Sequence, residues 1–190
     1  HWLAQAAGLE TFHGLVDGKL AQLPSEERVV DASTGYVTSN GGLAPGEIAF
    51  TFDDGPHETR TERVLSILKE AGIRANFFDV GEEATRHAAI AREAANQGHV
   101  VGSHSWDHTK LSAQPAEDAV KNVMKGHFAV ADATGVETPF FRFPYGARTR
   151  QLQTLVQQQK LASFFWNMDT LDWKIRDVSE LFRRVVAQLD

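Results

Sequence analysis

The segment EIAFTFDDGP, residues 47–56, is the stretch from which the fold of this chain is best predicted. Its first part is mostly apolar and aromatic, which predicts a strand over Glu47–Phe52. Asp53 and Asp54 follow directly, and Gly55-Pro56 stops the strand with a turn. Two neighbouring carboxylates are therefore expected at the carboxyl end of the first predicted strand.

Downstream of this segment, short apolar runs alternate with amphipathic segments. The apolar runs predict further strands at residues 75–80, 99–102, 140–143 and 163–168. The amphipathic segments predict helices at residues 61–71, 86–97, 116–133, 150–159 and 178–189. This alternation predicts an α/β fold with a parallel sheet and crossover helices. Residues 1–45 are broken by glycines and end in a polar, loop-like stretch, so they are predicted to be an N-terminal extension to a domain over residues 46–190.

Composition narrows the possible functions. The chain has 190 residues and fits one domain. It has no cysteine, so any metal must be held by His, Asp or Glu. The net charge of −6 and the lack of a basic stripe argue against nucleic acid as a partner. No apolar run approaches the roughly 18 residues of a membrane span, and because the chain starts at His1, a removed export signal is compatible with it.

Polar clusters follow four of the five predicted strands. They are Asp53 with Asp54, His104 with His108, Arg142 with Tyr145, and Asp169 with Asp172. The carboxyl ends of parallel strands converge on one face of an α/β fold, where active sites form. The four clusters are therefore expected to meet in space.

The aspartate and histidine pairs are candidates for a metal site. One of Asp53 and Asp54 could bind a metal while the other acts on a water, although an isolated Asp-Gly turn is more often a solvated one. His104 and His108 have an i, i+4 spacing, which on a helical turn would put both rings on one face. Two histidines and one carboxylate would leave open positions for water and substrate. The alternative is a pair of surface or core histidines, as predicted for the six others: His1, His13, His57, His87, His99 and His127.

The last two clusters allow either a functional or a structural interpretation. Arg142 could hold a catalytic carboxylate, and the bend at Pro144 could present a backbone N–H to an oxyanion; a strand-ending turn with an exposed Arg is an equal alternative. Trp173, beside Asp169 and Asp172, could form an apolar wall for a sugar or be a core residue.

Four motifs together resemble those of the polysaccharide deacetylase family, also called the NodB homology domain or carbohydrate esterase family 4. They occur in the family's order and are TFDDGP (51–56), HSWDH (104–108), RFPYG (142–146) and DTLDW (169–173). The resemblance covers residues 46 to the end. It implies a distorted (β/α) barrel, which is expected to be incomplete here because five predicted strands are too few to close it.

The resemblance also implies roles for individual residues. Asp53 would be the general base, and Asp54, His104 and His108 would bind a divalent metal, most often Zn²⁺ and sometimes Co²⁺ or Ni²⁺. Arg142 would orient Asp53, the backbone N–H of Tyr145 would bind the oxyanion, and Asp172 would tune a catalytic acid. The residues expected to contact substrate are Trp173, Phe143, Pro144 and Trp106.

The activity implied is removal of N-acetyl groups from N-acetylglucosamine-type sugars in peptidoglycan or a chitin-like polysaccharide by an exported hydrolase. The family's Leu-X-His motif, whose histidine protonates the leaving amine, does not occur before Asp190. We therefore expect the domain to be truncated at its C-terminus. The alternatives are an O-deacetylase acting on xylan and a sugar-binding homologue without the acid. An unrelated phosphoesterase is disfavoured, because no phosphate-binding Gly-rich loop is present.

Overall fold

The computed structural model describes residues 47–188. The predicted extension, residues 1–45, lies outside the described residues. The strands are β1 (Thr51–Gly55), β2 (Asn76–Asp79), β3 (Val100–Ser103), β4 (Phe140–Phe141) and β5 (Ala162–Ser163). The helices are α1 (Arg60–Ala71), α2 (Gly81–Arg86), α3 (Ala88–Asn96), α4 (Ala116–Thr134), α5 (Arg150–Gln158) and α6 (Val178–Val186).

The five strands form one sheet in the order β1-β2-β3-β4-β5. Every neighbouring pair is parallel. The predicted α/β class with a parallel sheet is therefore confirmed. Because all pairs are parallel, the carboxyl ends of the five strands lie on the same edge, which is where such folds build their sites. Within residues 47–188, no helix is both long and apolar enough to cross a membrane.

Helix α4 links the two apolar clusters that pack the helices. Val130 and Ala133 lie in the first cluster, with residues from α1, α3, β2 and β3. Ala119 and Val123 lie in the second, with residues from β4 and α5. Because α4 runs behind the centre of the sheet and contributes to both clusters, its position relative to the carboxyl ends of the strands is well fixed.

The predicted bounds of β1 are wrong. The strand begins at Thr51 rather than Glu47, and Asp53 and Asp54 belong to it instead of following it. The side chains of Ile48 and Phe50 are 44% and 42% exposed, so this apolar run is not a buried strand. The pairing of β1 with β2 is interrupted between Asp53 and Gly55, and the bulge places Asp54 out of register.

Two other elements also differ from prediction. The helix expected over residues 86–97 is α3, Ala88–Asn96, and the short helix α2, which was not predicted, precedes it and is separated from it at His87 by a non-helical backbone. The strand expected over residues 163–168 ends at Ser163. The carbonyls of Phe164 and Phe165 accept hydrogen bonds from the Arg142 side chain. The chain therefore leaves the sheet after Ser163, and its backbone carbonyls bind the buried guanidinium of Arg142.

Candidate active site

Asp54, His104 and His108 converge at the carboxyl edge of the sheet. Oδ1 of Asp54 lies 3.4 Å from Nε2 of His104 and 3.0 Å from Nε2 of His108. One possible ligand atom from each residue lies within 4.8 Å of the other two. Asp54 comes from β1, and the two histidines come from the loop that follows β3.

The two histidines do not share a helical turn, which corrects the expectation from their i, i+4 spacing. Residues 104–110 form an irregular loop. Ser105 and His108 have φ values of 70° and 57°, in the left-handed region that few non-glycine residues adopt. These two turns fold the loop back, so that both imidazoles reach Asp54.

The ring of His104 is held in one tautomer. Its Nδ1 lies 2.7 Å from the backbone carbonyl oxygen of Arg142, and the side chain is 3% exposed. A carbonyl only accepts hydrogen bonds, so Nδ1 must carry the proton and donate it. Nε2, the other ring nitrogen, faces Asp54 and is the nitrogen available to a metal. Metal-binding histidines are typically oriented by such a hydrogen bond on the distal nitrogen.

The donor set fits a divalent metal. Hydrogen bonds with His104 and then with His108 hold the pKa of Asp54 well below its usual range, while burial opposes this shift. The carboxylate is therefore ionised, as a ligand must be. Two imidazole nitrogens and one carboxylate oxygen are the ligand types of Zn²⁺ sites that keep a position open. The same set also suits several other first-row ions.

Asp53 is bound by a buried arginine next to this centre. Nη1 of Arg142 donates to Oδ1 of Asp53 at 2.7 Å and to Oγ1 of Thr51 at 2.8 Å. The Arg142 side chain is 2% exposed and stacks on the ring of Phe78 at 4.2 Å. Burial lowers the pKa of Arg142, and the charge of Asp53 opposes that shift. Arg142 thus fixes the carboxylate of Asp53, in agreement with the contact that the resemblance implied.

Tyr145 lies beside the histidines on the turn that follows β4. Its φ of 60° is left-handed, and its ring centroid lies 4.6 Å from that of His108. The side chain is 66% exposed. The turn Pro144–Gly146 is closed by a hydrogen bond from Gly146 N to Phe143 O at 2.9 Å. Its geometry brings Tyr145 to the same edge as the metal ligands.

Three of the residues predicted to contact substrate have side chains that pack against other parts of the protein. Phe143 is fully buried, packed edge-on against Phe141, and Pro144 is also buried, so neither side chain is available to a sugar. Trp106 is half-buried, and Nζ of Lys125 lies 3.6 Å from its ring centroid. A Cβ on Gly81 would meet the ring of Trp106 at 2.9 Å, which places this indole in the packing between α2 and α4.

The residues of the DTLDW segment are half-buried or exposed. Asp172 is exposed and accepts a hydrogen bond from Thr170 Oγ1 at 2.8 Å, and Trp173 is 67% exposed. Among the residues that the structure describes, no hydrogen bond or ring contact joins Asp172 or Trp173 to the four clustered residues, which are Asp53, Asp54, His104 and His108. Direct contacts join three of the four motifs, and for DTLDW the expected convergence stays a prediction.

Sequence reasoning missed two residues near the site. Thr51 shares the guanidinium of Arg142 with Asp53, and the two-residue period of a strand could have identified it, because Thr51 and Asp53 point to the same face. Asp79 ends β2 with a buried Oδ1 that has no hydrogen-bond partner, and burial raises its pKa to about 7. No sequence signal marked Asp79, since it sits in an apolar run.

Comparison with known proteins defines the class to which this fold and site belong. The sequence pattern of the polysaccharide deacetylase family matches residues 40–164. The chain belongs to this family, which confirms the resemblance to NodB homology domains and to carbohydrate esterase family 4. The five-stranded sheet is accordingly part of the distorted (β/α) barrel fold of the family.

Individual relatives act on related polymers. The chain is 36% identical over 140 residues to a peptidoglycan-N-acetylglucosamine deacetylase of Listeria monocytogenes; this covers 74% of the chain and 29% of that protein. It is 31% identical to a chitooligosaccharide deacetylase of Azorhizobium caulinodans, with 73% and 67% covered. The solved structure of a Bdellovibrio bacteriovorus peptidoglycan deacetylase superimposes with a TM-score of 0.76 at 35% identity, covering 83% of this chain and 45% of that one. The chain thus spans less than a third of the length of the Listeria relative.

Proposed function

We propose that this chain carries the catalytic centre of a metal-dependent hydrolase that removes N-acetyl groups from N-acetylglucosamine-type sugars. The observation that best supports this proposal is that the candidate metal ligands and the pair formed by Asp53 and Arg142 lie next to each other at the end of β1. Asp54 joins His104 and His108, and the next residue, Asp53, is held by Arg142. A metal site beside an oriented carboxylate is the arrangement needed to activate a water for attack on an amide.

Asp54, His104 and His108 would hold the metal, with Zn²⁺ the first candidate and Co²⁺ or Ni²⁺ as alternatives. When bound, such an ion polarises the acetyl carbonyl and lowers the pKa of a nearby water. The hydrogen bond from His104 Nδ1 to the Arg142 carbonyl keeps Nε2 aimed at the site. His108 is held from its other side by the ring of Tyr145.

Asp53 would act as the general base. Arg142 binds Oδ1, so Oδ2 is the oxygen that takes a proton from the attacking water. The water oxygen forms the new bond to the acetyl carbon, and the C–N bond then breaks. In the net reaction the acetyl carbon gains the hydroxyl of water and the amide nitrogen gains its proton, giving the free amino sugar and acetic acid, which then ionises to acetate and a proton. The backbone N–H of Tyr145 is proposed to bind the oxyanion that develops on the carbonyl oxygen.

The proposed substrate is peptidoglycan or a chitin-like polysaccharide, and the protein is proposed to be exported to reach it. The support is that relatives across the matched region are named as deacetylases of peptidoglycan and of chitooligosaccharides. Asp172 and Trp173, which the resemblance assigns to acid tuning and to the acetyl pocket, are kept as proposals for contacts made when a sugar is bound.

The test is release of acetate from N-acetylglucosamine oligomers by the full-length protein. Asp54→Asn and treatment with a chelator should each abolish the activity, and added Zn²⁺ or Co²⁺ should restore the chelated sample. Asp132→Asn, the same change at an exposed position of α4, is the matched control and should have no effect. Activity that survives both Asp54→Asn and chelation would refute the proposal. Acetate released from acetylxylan but not from the amino-sugar oligomers would identify an O-deacetylase, and binding of the oligomers without turnover would identify a sugar-binding homologue.

A further inference from the structure

The loop 104–110 holds two of the three candidate metal ligands in a backbone shape that its own residues do not favour. Ser105 and His108 are both left-handed without being glycine, which costs of order 1 kcal/mol or more for each residue. Such a conformation persists only where surrounding groups impose it. The groups that impose it are therefore part of what builds the site.

One such group is the side chain of Asn122, in the first half of α4. Its Oδ1 accepts a hydrogen bond from Trp106 N at 2.9 Å, and its Nδ2 donates to Oδ1 of Asp107 at 2.8 Å. Asp107 in turn accepts from the backbone N–H and the hydroxyl of Thr109 at 3.1 and 2.7 Å. A single amide thus binds the loop at consecutive residues between His104 and His108.

The backbone of the loop also lies directly on α4 at Gly126. A Cβ at this position would come within 2.3 Å of the Ser105 carbonyl group and 2.6 Å of Trp106 N. Glycine in the interior of a helix costs about 1 kcal/mol relative to alanine, but here only glycine leaves room for the loop. Gly126 is buried one helical turn after Asn122, so both contacts lie on the same face of α4.

The opposite side of the loop is held by the start of α2. Gly81 N donates to Ser105 O and Glu82 N donates to Trp106 O, each at 2.9 Å. A Cβ on Gly81 would lie 2.8 Å from the Cα of Gly126, so α2, the loop and α4 are in backbone contact. Left-handed Ser105 is clamped between two helices.

We propose that Asn122 of α4 is a positioning residue of the metal centre. It holds the loop, which packs on α4 at Gly126, so that His104 and His108 both face Asp54. This inference rests on the proposed metal site. Asn122 itself contacts neither the candidate ligands nor a substrate; it acts through Trp106 and Asp107.

The test measures binding of Co²⁺ alone to the full chain, by titration and by the visible absorption of the bound ion. Asn122→Ala removes the hydrogen bonds to Trp106 and Asp107 and a longer one, 3.4 Å, to Thr109 Oγ1. Asn122→Asp keeps an acceptor for Trp106 N but places a second carboxylate against Asp107. Each folded variant should bind Co²⁺ at least about tenfold more weakly than the wild type, with an altered spectrum, as is typical when groups that orient metal ligands are lost. The matched control is Asn96→Ala, the same substitution at the exposed end of α3, which should change neither.

Three results would overturn the inference. The folded Asn122 variants could bind Co²⁺ within about twofold of the wild type with an unchanged spectrum. Asn96→Ala could weaken binding as much as Asn122→Ala does. Both Asn122 variants could be unfolded by circular dichroism in the absence of metal, which would make Asn122 a residue of the fold rather than of the site. If the wild-type protein binds no Co²⁺ or Zn²⁺, the proposed function fails instead, so the two failures are distinguishable.

Discussion

Two regions carry motifs of the same family: the carboxyl edge of β1, β3 and β4, and the segment that follows β5. The two regions are built differently. At the edge, Arg142 and His104 are each 2% exposed, and they are joined to each other and to the strands by hydrogen bonds. In the segment after β5, Trp173 is 67% exposed and α6 has no buried residue. The family pattern likewise matches residues 40–164 and stops at the beginning of that segment.

The difference shows that a sequence motif does not by itself anchor its residues to the rest of the fold. Arg142 donates hydrogen bonds to Thr51, Asp53, Phe164 and Phe165, so its position depends on β1 and on the chain after β5. The acids of DTLDW make mainly local hydrogen bonds, such as Leu171 N to Asp169 Oδ1 at 2.9 Å. We therefore expect substitutions at the carboxyl edge to have large effects. Substitutions in the segment after β5 should have small effects on stability.

The largest effect is expected at His104. His104→Gln removes the buried ligand nitrogen, and it should eliminate tight Zn²⁺ binding and lower deacetylase activity by at least about a thousandfold. Metal content and acetate release are the measurements. The matched control is His87→Gln, at a residue between α2 and α3. This variant should retain both Zn²⁺ binding and deacetylase activity. Near-normal activity of His104→Gln would contradict the larger effect expected at the carboxyl edge than in the segment after β5.

The next effect concerns stability. Arg142→Met should lower the free energy of unfolding by about 3–5 kcal/mol, because it leaves Asp53 unpaired and removes the donor to the carbonyls of Phe164 and Phe165. Urea unfolding of the metal-free protein provides the measurement, with Arg150→Met on the exposed first residue of α5 as the control. A loss smaller than about 1 kcal/mol would show that the edge is no better anchored than the segment after β5.

A smaller effect arises at His99, at the other end of the strands. Burial, helped by the charge of Arg74, lowers the pKa of His99 to about 4. The unfolded chain therefore binds a proton at His99 that the folded protein excludes between pH 6.5 and 4. Stability from this group is present above about pH 6.5 and is lost as the pH falls toward 4.

Urea unfolding at steps across this pH range should show a loss of no more than about 3 kcal/mol that is attributable to His99, which is the size that a pKa lowered from 6.5 to about 4 allows. His99→Gln should flatten the profile by that amount. A profile of equal slope in the wild type and the variant would contradict the assignment of a buried, neutral histidine.

The smallest effect is expected in α6. Phe182 is 68% exposed, and Phe182→Ala should change the free energy of unfolding by no more than about 0.5 kcal/mol. The matched change Phe141→Ala, in a fully buried residue of β4, should cost about 3–5 kcal/mol. Comparable losses at the two phenylalanines would mean that α6 is packed in solution.

Much of this arrangement could be predicted from the sequence, and the rest has identifiable physical causes. The alternation of apolar and amphipathic segments predicted the parallel sheet, and parallel strands necessarily bring Asp54 and His104 to one edge. Residue spacing could not show that His104 and His108 lie on a loop, because an i, i+4 separation fits either a helix or two left-handed turns. The contacts of Asn122 and Gly126 join residues far apart in the chain, so no local pattern reveals them.

The central claim is that neighbouring aspartates divide the work, with Asp54 binding the metal and Asp53 acting on the water. Its most direct test is the affinity of Asp53→Asn and Asp54→Asn for Zn²⁺, measured side by side. We expect Asp54→Asn to bind at least about a hundredfold more weakly, and Asp53→Asn to bind within about threefold of the wild type while losing deacetylase activity. Equal losses of Zn²⁺ affinity in the two variants, or normal affinity in Asp54→Asn, would contradict this division.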